Sequence, residues 1–429
     1  MAHRAGCSQC VDSPNRRPDP THDHWTVTGT IRLEGVYKIF GEQPRGRALE
    51  LARSGVHKDE IQALTDHVVG LADVDFSVGE GEIFVVMGLS GSGKSTAIRT
   101  VNRLHSVTAG RVWVGDVDIQ SLSGRELQAV RRERIGMVFQ HFALFPHRNV
   151  IDNVSYGLEV QGVDRRSRRR SALEALSLVG LESYARSMPG QLSGGMQQRV
   201  GLARALASDP EILLMDEAFS ALDPLIRRQM QDEMLALQRQ LRKTILFITH
   251  DLNEALRLGD RVCIMRDGRV VQIGTPEEIL TEPATGYVAE FVQDVDQGRV
   301  IRVSDVMIEP RPIPAGTGLR AAVAGIEDRA GAFVLDPQGC PRAVLTAADG
   351  IRHLDCGSEA LADALRDDFE RVTADQTLNE VYAAAGRGLP IAVVDDAGRL
   401  VGNLDPRHIM EELGRVESLI DDFEREVFL

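Results

Sequence analysis

The run "EIFVVMGLSGSGKST", Glu82 to Thr96, constrains this chain more than any other stretch. A wholly apolar segment stops at a glycine and gives way to small residues, a lysine and two hydroxyls. Gly88 to Thr96 fits G-x-x-x-x-G-K-[ST] directly after a strand. A loop of this composition wraps its backbone around a phosphate chain, and glycine at Gly88, Gly91 and Gly93 lets successive N–H groups point inward. Leu89, Ser90 and Ser92 complete the loop, and the helix opening at Lys94, Ser95 and Thr96 adds the positive end of its dipole. Lys94 is expected to reach the β- and γ-phosphates of ATP, and the Ser95 hydroxyl to ligate Mg²⁺.

Three further strand ends supply candidates for the same site. In "ILLMDE" four apolar residues form a buried strand; Asp216 at its end can hold Mg²⁺ through water, and Glu217 can polarise the attacking water. Gln140 in "GMVFQHFALFP" follows another apolar strand, and a neutral amide can contact both metal and water without adding charge. His250 in "ILFITHD" can contact the γ-phosphate and orient Glu217. Singly, Gln140 and His250 read as well as surface or structural residues; as a set they describe a catalytic site.

"LSGGMQQR" narrows the reading. Ser193, Gly194 and Gly195 form a second small-residue turn at a helix start, hence a second anion-binding concavity. One nucleotide scarcely needs two such cradles from one molecule. The economical solution is a two-fold dimer in which each "LSGG" closes the other chain's ATP site.

The 429 residues suffice for two or three domains, and 43% hydrophobic with 26% charged residues implies a buried core. A net charge of -14 argues against a nucleic-acid partner. Five scattered cysteines read as reduced thiols of a cytosolic protein. No run approaches the ~18 apolar residues of a membrane span. A membrane partner remains open.

Residues 1–30 are polar and predict a disordered tail; Cys7 and Cys10 with His3, His22 and His24 could hold zinc, but their spacing fits no common finger. From Ile31 to about Asp294 short apolar strands alternate with amphipathic segments, the pattern of an α/β fold. Between the first two strand-rich stretches, "RALELARSGVHKDEIQALTDHVVGL" has helical apolar spacing, interrupted at Ser54-Gly55. After Asp296, "GAFVLDPQGCPRAVLTAADG" and "LPIAVVDDAGRLVGNLDPRHIM" form an internal repeat of strand, Asp-Gly turn, strand and helix, the first departing from a clean step into its helix. Residues 415–429 form an acidic tail.

In order and content, the phosphate loop, Gln140, "LSGGMQQR", "ILLMDE", "SALD" and His250 resemble the ATP-binding subunits of ABC transporters. The resemblance implies a P-loop ABC-type nucleotide-binding domain over 31–295, with a helical subdomain at about 142–205. It also implies that Asp223 of "SALD" signals across the dimer and that Phe40 of "YKIFG" stacks on adenine. A core aromatic is the competing reading for Phe40.

The insertion after Phe40 and the paired repeats make the chain similar to the ATPase subunit of quaternary-amine importers, for glycine betaine, proline betaine or related osmoprotectants. The repeats at 302–414 resemble tandem cystathionine-β-synthase (CBS) domains, an α/β module that often binds adenine nucleotides or cyclic dinucleotides. In related importers it senses ionic strength or a second messenger; a dimerising spacer is the alternative. The family docks a permease helix on the loop His141 to Val154, where Phe142, Leu144 and Phe145 suit a contact groove. Cargo is held by that permease and an extracytoplasmic binding protein, which puts this chain at the cytoplasmic face of the membrane. Arg165, Arg166, Arg168, Arg169 and Arg170 could touch anionic lipid, or form a solvated helix face. Rival readings are an importer of another solute, such as an amino acid, and a soluble ABC ATPase. The latter usually carries two ATPase halves or a long coiled coil, and this chain has neither.

Overall fold

The computed structural model describes residues 30–140, 143–293, 298, 301–314, 316–326 and 330–409. The N-terminal Cys/His tail, the acidic tail, His141 and Phe142 lie outside them. Ten strands build the ATPase region: β1 (Ile31–Phe40), β2 (Val68–Val78), β3 (Ile83–Met87), β4 (Ala109–Val114), β5 (Val117–Asp118), β6 (Ile135–Phe139), β7 (Ile212–Asp216), β8 (Thr244–Ile248), β9 (Arg261–Arg266) and β10 (Arg269–Gly274). They form a four-stranded antiparallel sheet, β2-β1-β4-β5, and a six-stranded sheet, β10-β9-β3-β8-β7-β6.

The larger sheet is parallel from β6 to β9. Every residue of β3, β7 and β8 is buried, as strands covered on both faces must be. Alternation then divides each strand between two cores. Phe84 and Val86 pack with Leu71 and Phe76 of the antiparallel sheet and with Ile98 of the helix Lys94–Val101. Ile83, Val85 and Met87 face the other side, where Ile151, Leu176 and Val200 of the helical subdomain pack. Each such side chain contributes about 1.5–3 kcal/mol on burial. The parallel strands therefore end along one rigid edge, and that edge carries the site.

The insertion forms two helices, Arg47–Arg53 and Lys58–Thr65, broken where Gly55 adopts φ +83°. Its apolar faces cover Tyr37, Ile39 and Val69, and Lys58 Nζ lies 2.6 Å from Asp267 in the β9–β10 turn. The helical spacing read through Leu71 stops sooner than expected. Asp66 at φ +57° caps the second helix, and Val68 to Leu71 enter β2.

Arg165 to Arg170 occupy the first turns of the helix Arg165–Leu178, capped by Asp164. Leu144 packs against the helical core, and the Phe145 ring is held by Tyr156 (4.6 Å) and Arg148. These two side chains are half-buried, so less apolar surface faces outward than the sequence suggested.

The C-terminal region contains β11 (Gly331–Leu335) paired with β12 (Pro341–Thr346), and β13 (Arg371–Thr373), β14 (Ile391–Val394) and β15 (Leu400–Leu404) in a second sheet. The repeats interlock instead of following one another. Ile301, Val303 and Val306, at the start of the first, pack into the core of the second with Leu378, Ile391 and Leu404. The first repeat's irregular step is resolved by Thr346, whose hydroxyl accepts from Asp349 N at 3.1 Å and starts the helix Ala347–Asp355.

Candidate active site

The phosphate loop leaves β3 at Gly88 and enters the helix Lys94–Val101. Two of its glycines are sterically obligatory. A Cβ on Gly88, at φ +147°, would lie 2.2 Å from the Met265 carbonyl oxygen; one on Gly93, at φ +104°, would lie 2.6 Å from that of Gly70. Lys94 is buried, and its Nζ donates to the carbonyls of Gly88 (2.7 Å) and Leu89 (2.9 Å). Burial pushes its ammonium below the ordinary lysine range, against the raising pull of Glu217 and Asp216. The Ser92 hydroxyl is buried with no partner among the described residues.

Neighbouring parallel strands bring the other candidates to the same edge. Ser95 Oγ donates to Asp216 Oδ1 at 3.1 Å, joining the phosphate loop to the end of β7. Glu217 follows at φ +48°, its N–H bonded to the Ile248 carbonyl of β8 at 3.1 Å. A left-handed glutamate is strained, by about 1 kcal/mol or more, and here the strain turns its carboxylate toward two partners. Gln140 Nε2, just past β6, donates to Glu217 Oε2 at 3.2 Å. His250 Nδ1, two residues past β8, stands 3.5 Å from the same oxygen. Six candidates from four strands thus interlock: Lys94, Ser95, Gln140, Asp216, Glu217 and His250.

Phe40 lies beside this loop. Its ring covers Gly70, where a Cβ would approach Phe40 Cε2 to 2.7 Å and Thr96 Cγ2 to 3.3 Å. Lys38 Nζ sits 4.7 Å from the ring centroid, and His105 meets the ring edge-on at 5.4 Å.

The LSGG turn is separate. Ser193 and Gly194 are exposed; Ser193 Oγ accepts from Met196 N at 3.4 Å, capping the helix Gly194–Leu206. Gly195 abuts Ile226, whose methyl would stand 2.7 Å from an added Cβ. Among the described residues, no hydrogen bond joins Ser193, Gly194 or Gly195 to the phosphate loop. Asp223 is exposed as well, its Oδ1 accepting from Ile226 N at 3.1 Å as the cap of the helix Pro224–Leu241.

Sequence reasoning missed Arg99, whose guanidinium contacts Asp216 Oδ2 at 3.2 Å. It lies one helical turn beyond Ser95, a spacing that could have exposed it. It also missed Lys38, inside the quoted "YKIFG", and His105, which no motif marks; both meet the Phe40 ring.

A family model described as "ABC transporter" matches residues 71–220. The glycine betaine transport ATP-binding protein OpuAA of Bacillus subtilis is 48% identical over 375 residues, 87% of this chain and 89% of the relative. The chain belongs to the ABC transporter ATP-binding proteins. The glycine betaine/proline betaine transport ATP-binding protein ProV of Salmonella typhimurium is 45% identical, over 90% of this chain and 98% of its own length. Among solved structures, cbiO1 of Clostridium perfringens, part of the ABC transporter complex cbiONQ, aligns with TM-score 0.50 and 25% identity over 62% of this chain and 94% of its own. Like other members of the ABC family, this ATP-binding subunit is an ATPase. No described helix is long and apolar enough to cross a membrane.

Proposed function

We propose that two copies of this chain close around ATP, each LSGG turn covering the partner's phosphate loop. Hydrolysis reopens them and drives import of glycine betaine, proline betaine or a related quaternary amine through a membrane permease. The observation that carries this reading is the division within one chain: Gln140 and His250 converge on one oxygen of Glu217, while Ser193 and Gly194 of the LSGG turn are exposed and Ser193 caps its own helix. The names and length coverage of the relatives support the cargo.

In this mechanism Glu217 is the general base. Its Oε2, gathered between the Gln140 amide and the His250 imidazole, polarises the attacking water. Lys94 exchanges its two carbonyl contacts for the β- and γ-phosphates, and Phe40 stacks on the adenine. Ser95, Asp216 and Gln140 present a hard-oxygen set suited to Mg²⁺, with the Ser95 hydroxyl already 3.1 Å from the buried Asp216 carboxylate. When bound, the ion neutralises charge on the phosphates. The chain sits on the cytoplasmic face of the membrane, served indirectly by a substrate-binding protein outside. Its C-terminal module answers a nucleotide or ionic strength.

The test is ATP hydrolysis by the chain with its permease in liposomes, following added glycine betaine and raised internal ionic strength. Both should raise turnover. Indifference to betaine with a response to another solute would reassign the cargo, and failure to recover any membrane partner would end the transporter reading.

A further inference from the structure

His250 is poorly held by its own packing: its side chain is 57% exposed, yet its ring must meet Glu217. Its two neighbours are anchored instead. Thr249 donates its backbone N–H to the Val86 carbonyl at 3.2 Å and its hydroxyl to Glu254 Oε2, while accepting from Asp251 N at 3.0 Å. Asp251 accepts from Glu254 N at 3.2 Å, capping the helix Leu252–Leu258.

Both anchors lead to one other element. Gln231 Nε2 donates to Glu254 Oε1 at 2.9 Å, and Arg227 Nη1 lies 3.5 Å from Asp251 Oδ2. Arg227 and Gln231 stand one turn apart on the helix Pro224–Leu241, which Asp223 caps. Arg227 Nη2 also donates to the carbonyls of Ser220 (3.4 Å) and Leu222 (3.1 Å), and the Ser220 hydroxyl donates to the Glu217 carbonyl at 2.9 Å. Glu254 is 5% exposed, and burial raises its carboxyl above the ordinary glutamate range despite the hydrogen bonds from Thr249 and Gln231. Burying a carboxylate is costly where an apolar side chain would pack. Geometry gives it a role: the carboxyl group spans two segments that no aliphatic residue could hydrogen-bond together.

We propose that Glu254, Gln231 and Arg227 are positioning residues that fix His250 relative to the Asp223 corner, so that the partner-facing corner and the Glu217–His250 pair move as one body. None of the three touches the phosphate loop in the described hydrogen bonds and ion pairs. The inference rests on the catalytic reading of His250 given above. It predicts that a chain docking at Asp223 sets the His250 ring over Glu217, which ties turnover to dimer closure.

The experiment measures steady-state ATP hydrolysis by the full chain with its membrane partner in liposomes, for Glu254→Met, Glu254→Gln, His250→Ala and the double variant Glu254→Met/His250→Ala. Glu254→Met should lower kcat about tenfold or more, as a small misplacement near the chemistry does, with KM for ATP unchanged. Glu254→Gln keeps an acceptor for Thr249 and should restore most of the rate. In the His250→Ala background, Glu254→Met should cost nothing further, because its effect passes through His250. Losses that multiply in the double variant, or a Gln variant as impaired as Met, would overturn the bracket while leaving the catalytic reading intact. A fully active His250→Ala would overturn both. Thermal melting and binding of a fluorescent ATP analogue confirm folding; should Glu254→Met fail there, Gln231→Leu removes the same bond from the other side and is held to the same outcomes.

Discussion

The two anion cradles of this chain use one local device, a glycine-containing turn feeding a helix, and are finished in different ways. In the phosphate loop Gly88 and Gly93 are forced by carbonyls of other segments, Lys94 is buried, and Ser95 is tied to Asp216. In the LSGG turn Ser193 caps its own helix and stays exposed, with Gly195 pressed on Ile226. The first is completed by tertiary contacts within the chain. The second is backed by Ile226 of the neighbouring helix, but its Ser193 and Gly194 are left exposed. A shared motif therefore says what a turn can bind, while its surroundings say which molecule brings the ligand.

Variants can break this contrast. The largest effect is expected from Glu217→Gln, which should cut turnover by roughly 100-fold or more, the scale of a lost general base. ATP should still bind, and a stable dimer should accumulate on gel filtration; normal turnover would remove Glu217 from the mechanism. Gly93→Ala should weaken ATP binding to the isolated chain by about tenfold or more, because an alanine at φ +104° is strained and meets the Gly70 carbonyl. Fluorescent-nucleotide titration checks this.

Ser193→Ala sharpens the comparison from the other side. It should leave ATP affinity of the monomer unchanged, weaken ATP-driven dimerisation, and lower stability by about 1 kcal/mol through the lost cap. Equal loss of monomer affinity would show that the two cradles serve one nucleotide in one chain.

The smallest effect concerns the buried Glu254. Burial raises its carboxyl above the value in the unfolded chain, so the native state loses stability as pH rises from the ordinary glutamate range through the raised value. Glu254→Gln lacks that loss. Its melting temperature relative to wild type should climb across this window and then level off.

Much of the site was legible because its residues sit at strand ends marked by apolar runs. Gln140, Asp216 and His250 each follow such a run, and parallel strands deliver them to one edge. Arg99 and Glu254 were not read, since each acts through a partner distant in sequence, Arg99 through Asp216 and Glu254 through Gln231. Lys38 lies two residues before Phe40 on β1, on the same face of the strand, and no motif marks it. The insertion's end at Asp66 escaped for another reason. Apolar spacing continues through Val68 and Leu71, and only the left-handed turn at Asp66 separates helix from strand. In the C-terminal region the repeat was visible, but the exchange of Ile301, Val303 and Val306 into the second core was not.

By itself the sequence determined the local devices: the glycine loop, the capped turns, and the apolar strands ending in polar side chains. These depend on backbone sterics and on patterns a few residues long. Tertiary structure alone decided which devices meet: that Ser95 finds Asp216, that Gln140 and His250 converge on Glu217, and that the LSGG turn is left facing outward. Those meetings depend on strand order and packing between segments more than a hundred residues apart in some cases, such as Ser95 and Asp216 at a separation of 121. No local preference encodes them.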